Sequence, residues 1–204
     1  MENITCVTPS WIEMVEYSRQ TTSLIKKSGF KPDIIIALSR GGLVPARIFC
    51  DFLHIKNCYS IKIDHWGLTA TKDGKARINH GLDMDLSGKN VLIVDDITDT
   101  GESLELAKAH IENLGPMSLK TATLIHLSNS KYTPDYFGIQ REWAWIIFPW
   151  NYQEDLVNLT KKMLTDNKNL SVDQIHTNFK EMHSIDVSAN DVENTLQQIK
   201  YIDS

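Results

Sequence analysis

Two short stretches, Ile34 to Leu38 and Val91 to Val94, are uninterrupted apolar runs dominated by β-branched residues. Such a run is too short for a helix and lacks the alternation of a strand with one wet face, so each reads as a strand buried on both faces. Each run leads into a polar, glycine-bearing turn: Ser39-Arg40-Gly41-Gly42 after the first, Asp95-Asp96-Ile97-Thr98-Asp99-Thr100-Gly101 after the second. Helical spacing follows both turns, with Val44, Ile48, Phe49 and Phe52 in residues 44–53 and Leu104, Ala107, Ile111 and Leu114 in residues 103–114. Further strands are expected at residues 59–63, 121–127 and 143–148, and a helix at residues 9–28 that Gly29 stops. Strands alternating with helices imply an α/β fold whose central sheet is mainly parallel and flanked by helices.

Residues 64–88 carry little apolar pattern and hold Gly67, Gly74, Gly81 and Gly88. A loop of that length in a compact domain reads as a functional lid. After Asn151 the texture changes to three amphipathic segments, at residues 155–164, 172–182 and 190–202. The expected organisation is a catalytic domain over residues 1–152 and a small helical C-terminal appendage over residues 153–204. The stripes of the appendage suit packing against the core or a second subunit. A net charge of −5 argues against a broad nucleic-acid surface. The longest apolar run, Trp143 to Trp150, is too short to span a bilayer, and the amino terminus has no secretory pattern. Cys6, Cys50 and Cys58 form neither a C-x-x-C pair nor a zinc spacing, which suits buried free thiols in a reducing cytoplasm.

Chemistry concentrates where the second run ends. Ligands of open α/β sheets sit at the carboxyl ends of strands. There, a loop and helix start offer backbone N–H groups and the positive end of a helix dipole. Thr98, Thr100 and Ser103 add hydroxyls, which makes a phosphate cup, and Asp95 and Asp96 beside it can bind sugar hydroxyls or a hard cation. Each residue alone has an ordinary role in a turn or helix cap; together, between a buried strand and a helix, they read as a site. At Ser39-Arg40-Gly41-Gly42 the glycines are expected to permit unusual torsions, so that the backbone approaches a phosphate while Arg40 adds fixed charge.

The segment Val91 to Ser103 resembles the signature of type I phosphoribosyltransferases that binds phosphoribosyl pyrophosphate (PRPP). Ile36 to Ala46 is similar to the pyrophosphate loop of the xanthine-guanine phosphoribosyltransferases, and Trp145 to Trp150 resembles their base-contacting stretch. The resemblance implies a type I phosphoribosyltransferase-like fold and Mg2+-dependent transfer of ribose 5-phosphate to a nucleobase, a 6-oxopurine, with pyrophosphate and a nucleotide as products. It implies a cytoplasmic purine-salvage enzyme, a homo-oligomer (dimer or tetramer), without nucleic-acid or membrane partners. By resemblance, PRPP would meet Ser39, Arg40, Gly41 and Gly42 at its pyrophosphate, with a cis peptide between Ser39 and Arg40. Asp95, Asp96, Thr98, Asp99, Thr100, Gly101, Glu102 and Ser103 would hold its ribose and 5-phosphate, and Arg77 in the long loop would reach its phosphates. Asp96 would contact the metal, Asp99 would handle the proton at purine N7, Trp145 would stack on the base and the Ile146 backbone would read its edge. The family's purine-contacting lysine has no match: His126 stands there, or Leu127 if the register slips by one. A neutral His can donate a hydrogen bond to an oxygen. That departure leaves open a different acceptor base, and a PRPP-sensing regulator of the same fold remains the reading from another class.

Overall fold

In the computed structural model, which describes residues 4–65, 76–167 and 169–204, the two apolar runs form the centre of a six-stranded sheet. In chain order the elements are β1 (Cys6–Val7), α1 (Trp11–Lys27), β2 (Ile34–Ser39), α2 (Leu43–Leu53), β3 (Cys58–His65), β4 (Ala76–His80) and β5 (Asn90–Thr98). They continue with α3 (Glu102–Glu112), β6 (Ser118–Leu127), β7 (Tyr136–Arg141), β8 (Trp145–Ile146), α4 (Tyr152–Asp166), α5 (Val172–His183) and α6 (Ala189–Ile202). The large sheet has the order β4-β3-β2-β5-β6-β7, and every neighbouring pair is parallel except β3 with β4. Ile34, Ile36, Leu38, Val91 and Ile93 share a core with Leu104, Ala107 and Ile111 of α3. Their alternates, Ile35, Ala37, Leu92 and Val94, point to the other face and are buried as well. Two covered faces explain why no polar residue interrupts either run. Truncating a residue such as Ile36 to Ala should cost about 2–5 kcal/mol, because it removes apolar contact and leaves a cavity.

Residues 64–88 do not form one loop. β3 continues to His65, and β4 returns antiparallel to it with Asp64 opposite Arg77. Residues 66–75, with Gly67 and Gly74, lie outside the described residues. After β4 the chain comes back to the core, where Leu86 is fully buried. β4 escapes a reading by periodicity because it is a mostly exposed edge strand whose only apolar residues are Ala76 and Ile78. The expected strand at residues 143–148 shortens to Trp145–Ile146, which pairs in parallel with β1.

The chain forms two compact units, Ile12–Trp143 and Met1–Trp11 with Ala144–Ser204. The boundary expected at residue 152 falls inside the second unit, because β1, β8 and Ile147 belong with the C-terminal helices. That unit has its own core, in which Cys6 and Ile147 meet Leu156 and Met163 of α4 and Ile175 and Phe179 of α5. Ser171 and Gln174 form a capping box that starts α5, and Ser188 caps α6. Among the described residues no helix is long and apolar enough to cross a membrane.

Candidate active site at the carboxyl edge of the sheet

Because β2, β5 and β6 are parallel, their carboxyl ends at Ser39, Thr98 and Leu127 share one edge of the sheet. The Ser39–Arg40 peptide bond is cis, as the resemblance implies. The Gly42 N–H donates to Leu38 O at 2.8 Å and also reaches the Asp95 carboxylate, which accepts the Asp96 N–H on Oδ1 at 3.0 Å. The glycines are required for space and not for torsion. Gly42 has φ −69°, and Gly41 is not left-handed either. A Cβ on Gly41 would lie 2.5 Å from Asp96 Oδ2 and 2.6 Å from Oδ1, and one on Gly42 would lie 2.3 Å from Val94 O. The turn after β2 is therefore seated on the carboxylate pair near the carboxyl end of β5.

Asp96 is buried at 6% exposure. Burial, and then the neighbouring charge of Asp96, push the Asp95 carboxyl well above the usual carboxylate range, against the N–H groups of Asp96 and Gly42. Two adjacent, poorly hydrated acids are a place where a cation is favourable. Among the described residues no group of three His, Cys, Asp or Glu could hold a metal ion. The Asp96 carboxylate beside the acid of Asp95 is a hard oxygen donor of the kind that suits Mg2+.

The loop expected to cup a phosphate turns at Gly101. Its φ is +90°, and a Cβ there would lie 2.3 Å from Tyr132 Cβ, so glycine is needed on both counts. As the N-cap of α3 it supplies no capping side chain, and the positive end of the α3 dipole faces this loop. Thr100 Oγ1 is 3.4 Å from the Glu102 N–H, and Asp99, Thr100 and Glu102 are exposed, with Ser103 half-buried. Thr98 departs from the expectation. It is the last residue of β5, 1% exposed, and its hydroxyl donates to Thr123 Oγ1 at 3.0 Å, so that side chain belongs to the sheet and not to the cup lining. Arg77 lies on β4, exposed, and not in a loop. The turn after β6, which the motifs do not include, also builds the loop: the Lys131 N–H donates to Thr100 O at 3.3 Å, and Tyr132 backs Gly101 while its hydroxyl meets Thr121 Oγ1 at 3.1 Å. Its polar, proline-ended sequence Ser128-Asn-Ser-Lys-Tyr-Thr-Pro134, directly after a strand, was the available signal.

His126 is the partner of Thr98 in the β5–β6 register, one residue from Asp99. It is 6% exposed, its ring lies 5.0 Å from that of Phe137, and its Nδ1 has no hydrogen-bond partner among the described residues. Burial holds its pKa below the ordinary value, so the imidazole is neutral at pH 7. Leu127 is buried and carries no polar side-chain atom.

Trp145 and Ile146 belong to the other unit. The Trp145 indole N–H donates to Asp155 Oδ1 at 3.1 Å, which fixes the ring. The N–H groups of Trp145 and Ile147 donate to Thr5 O and Val7 O. Strand alternation therefore turns the N–H and C=O of Ile146 to the opposite edge of this two-stranded sheet, where no strand pairs among the described residues.

Residues 16–155 match the phosphoribosyl transferase domain family. The chain is 34% identical over 144 residues to a xanthine-guanine phosphoribosyltransferase of Desulfotalea psychrophila, across 70% of this chain and 84% of that one. It is 29% identical to a hypoxanthine-guanine phosphoribosyltransferase of Schizosaccharomyces pombe, across 61% of this chain and 79% of that one. Among solved structures it is similar to a purine phosphoribosyltransferase from Pyrococcus horikoshii, with 31% identity and a TM-score of 0.63 over 71% of this chain and 93% of that one.

Proposed function

The chain belongs to the phosphoribosyl transferase domain family, and from that premise we propose that it transfers ribose 5-phosphate from PRPP to a 6-oxopurine, releasing pyrophosphate. The observation that carries the reading is the seating of Gly41 on the Asp96 carboxylate, which joins the pyrophosphate turn and the ribose-phosphate segment into one site. In the reaction a purine ring nitrogen attacks C1 of the ribose, and the bond from C1 to the pyrophosphate oxygen breaks. The α3 start, with Thr100 to Ser103, anchors the 5-phosphate. Arg40 and the turn backbone stabilise charge on the leaving pyrophosphate. Asp95 positions that turn through the Gly42 N–H, while Asp96 faces the ribose and the cation. Asp96, with oxygens of the substrate, would hold Mg2+, which would supply charge neutralisation at the pyrophosphate. Asp99 holds the proton at purine N7. His126 stands in the place of the missing lysine, and its neutral imidazole is the donor assigned to the 6-oxygen. Trp145 stacks on the base, and the Ile146 backbone reads its edge. The reading carries with it a cytoplasmic homo-oligomer.

The test is to incubate the chain with PRPP, Mg2+ and each common base in turn and to measure nucleotide and pyrophosphate together. Hypoxanthine, guanine or xanthine should yield both products in equal amounts. PRPP binding with no nucleotide from any base would replace the enzyme with a PRPP sensor.

A further inference from the structure

A second chemistry-bearing cluster lies at the far end of α2, away from the phosphate-binding turn at its start. α2 ends at Leu53, His54 takes the left-handed φ of +56°, and the Ile55 N–H donates to Cys50 O at 2.9 Å. This tight reversal delivers the chain to the start of β3 at Cys58 and sets the Cys50 and Cys58 thiols in hydrogen-bond contact. Both were expected to be buried. Cys50 is, at 7% exposure, but Cys58 is exposed. The two thiols line a cavity of about 440 Å³ with Arg47, Asp51, His54 and Lys56.

The chemistry of the pair is asymmetric. The Cys50 S–H donates to Cys58, and that bond, with the Arg47 charge and against burial, lowers the Cys58 pKa to about 7. The same bond pushes the Cys50 thiol up. An exposed thiolate is the reactive form of cysteine, and a second thiol beside it is placed to resolve its oxidation product as it gives up its proton. Cys6 is the internal contrast: it is buried, lies near the Asp155 charge, and its pKa is pushed up to about 12.

We propose that Cys50 and Cys58 are a redox-active dithiol, oxidised by a small hydroperoxide to an intramolecular disulfide. The Cys58 thiolate attacks one peroxide oxygen, the O–O bond breaks, and with hydrogen peroxide the departing hydroxide takes a proton to become water. Cys58 is then a sulfenic acid. The Cys50 sulfur attacks the Cys58 sulfur, the S–O bond breaks, and the hydroxyl leaves with the Cys50 proton as a second water. In total, two thiols are oxidised by two electrons and one peroxide is reduced to two waters. An intracellular dithiol of this kind is a reversible sensor and not a structural staple.

The experiment treats the whole chain with hydrogen peroxide, blocks remaining thiols with N-ethylmaleimide, digests without reductant and maps the peptides by mass spectrometry. The expected product is the Cys50 peptide joined to the Cys58 peptide, lighter by two hydrogens than their sum and separated by dithiothreitol. In Cys50→Ser, Cys58 should accumulate as a sulfenic acid that dimedone traps. In Cys58→Ser, Cys50 should stay reduced while the circular dichroism spectrum is unchanged. No joined peptide in the native chain, no dimedone adduct in Cys50→Ser, or oxidation of Cys6 as fast as Cys58 would each overturn the proposal.

Discussion

Replacing Gly41 with alanine adds one carbon at a point 2.5 Å from Asp96 Oδ2 and 2.6 Å from Oδ1. Comfortable non-bonded contacts begin near about 3.5 Å, so roughly 1 Å of space must be opened. Asp96 cannot give it by swinging into solvent, because the residue is 6% exposed and its backbone is part of β5. If the fold absorbs the carbon in place, overpacking of this kind costs about 1–3 kcal/mol of stability. If Asp96 or the turn moves instead, a charged contact to the ribose or cation is lost, at about 1.5–3 kcal/mol. At about 1.4 kcal/mol per decade, that is a ten- to hundredfold rise in the Kd for PRPP. The assay is calorimetric titration of PRPP at saturating Mg2+, with a thermal melt of the same preparation. Gly42→Ala is the control. Its added carbon meets Val94 O at 2.3 Å and Leu38 N and O at 2.9 Å, backbone atoms that cannot step aside, so it should lower the melting temperature first and most. A Gly41→Ala chain with native PRPP affinity and native melting temperature would refute the reasoning.

Asp99→Asn should slow transfer by about 10²–10⁴-fold, the usual range for general acid–base groups, with PRPP affinity kept; single-turnover rates and calorimetry separate the two. Trp145→Ala should raise the KM for the base at a stacking loss of about 1–3 kcal/mol and leave the KM for PRPP unchanged, as read from initial rates with each substrate varied. His126→Leu should erode preference for 6-oxopurines over adenine in competition assays, and unaltered selectivity would move base reading elsewhere, to the Ile146 backbone. Burial also holds the His126 pKa below its ordinary value of 6.5. The folded chain then binds fewer protons there than the unfolded one, so this contribution to stability is present above that value and is lost as pH falls. His126→Asn should therefore lose less stability than the native chain between neutral and mildly acidic pH in denaturant titrations.

Which elements are legible in the amino-acid sequence follows from where each is buried. β2 and β5 are buried on both faces, so burial writes itself as unbroken apolar runs, and the helices α1, α3, α5 and α6 carry their stripes and stop signals in the residues themselves. β4 and β7 are the two edges of the sheet. Residues such as Asn79, His80, Gln140 and Arg141 face solvent or the sheet margin there, and no local pattern separates them from loop. β1 is only two residues long and exists because β8 lies beside it, a contact between segments far apart in the sequence. The same holds for Thr98. In the sequence its hydroxyl reads as a phosphate donor beside Thr100, but strand register aims it at Thr123, and register is a property of two strands, not of one segment.

The site itself was legible as two separate motifs, and what escaped was their contact. Glycine at residue 41 reads locally as conformational freedom, but the reason for it is a carboxylate on another strand. That assignment makes a prediction neither motif makes alone, because residues that share one contact should not act independently. Asp96→Ala removes the atoms with which a carbon at residue 41 collides, and it also removes the carboxylate whose displacement would weaken PRPP. In a cycle of Gly41→Ala, Asp96→Ala and the double variant, the added methyl should do most of its damage in the native background and little in the Asp96→Ala background. Contacting pairs show coupling of about 0.5–3 kcal/mol, whereas separated sites add to within about 0.5 kcal/mol. The PRPP Kd and the melting temperature of all four chains measure the coupling directly. If the single losses sum in full to the double loss, Gly41 has some other reason to be glycine, and the joining of the two motifs into one site must rest on something other than this contact.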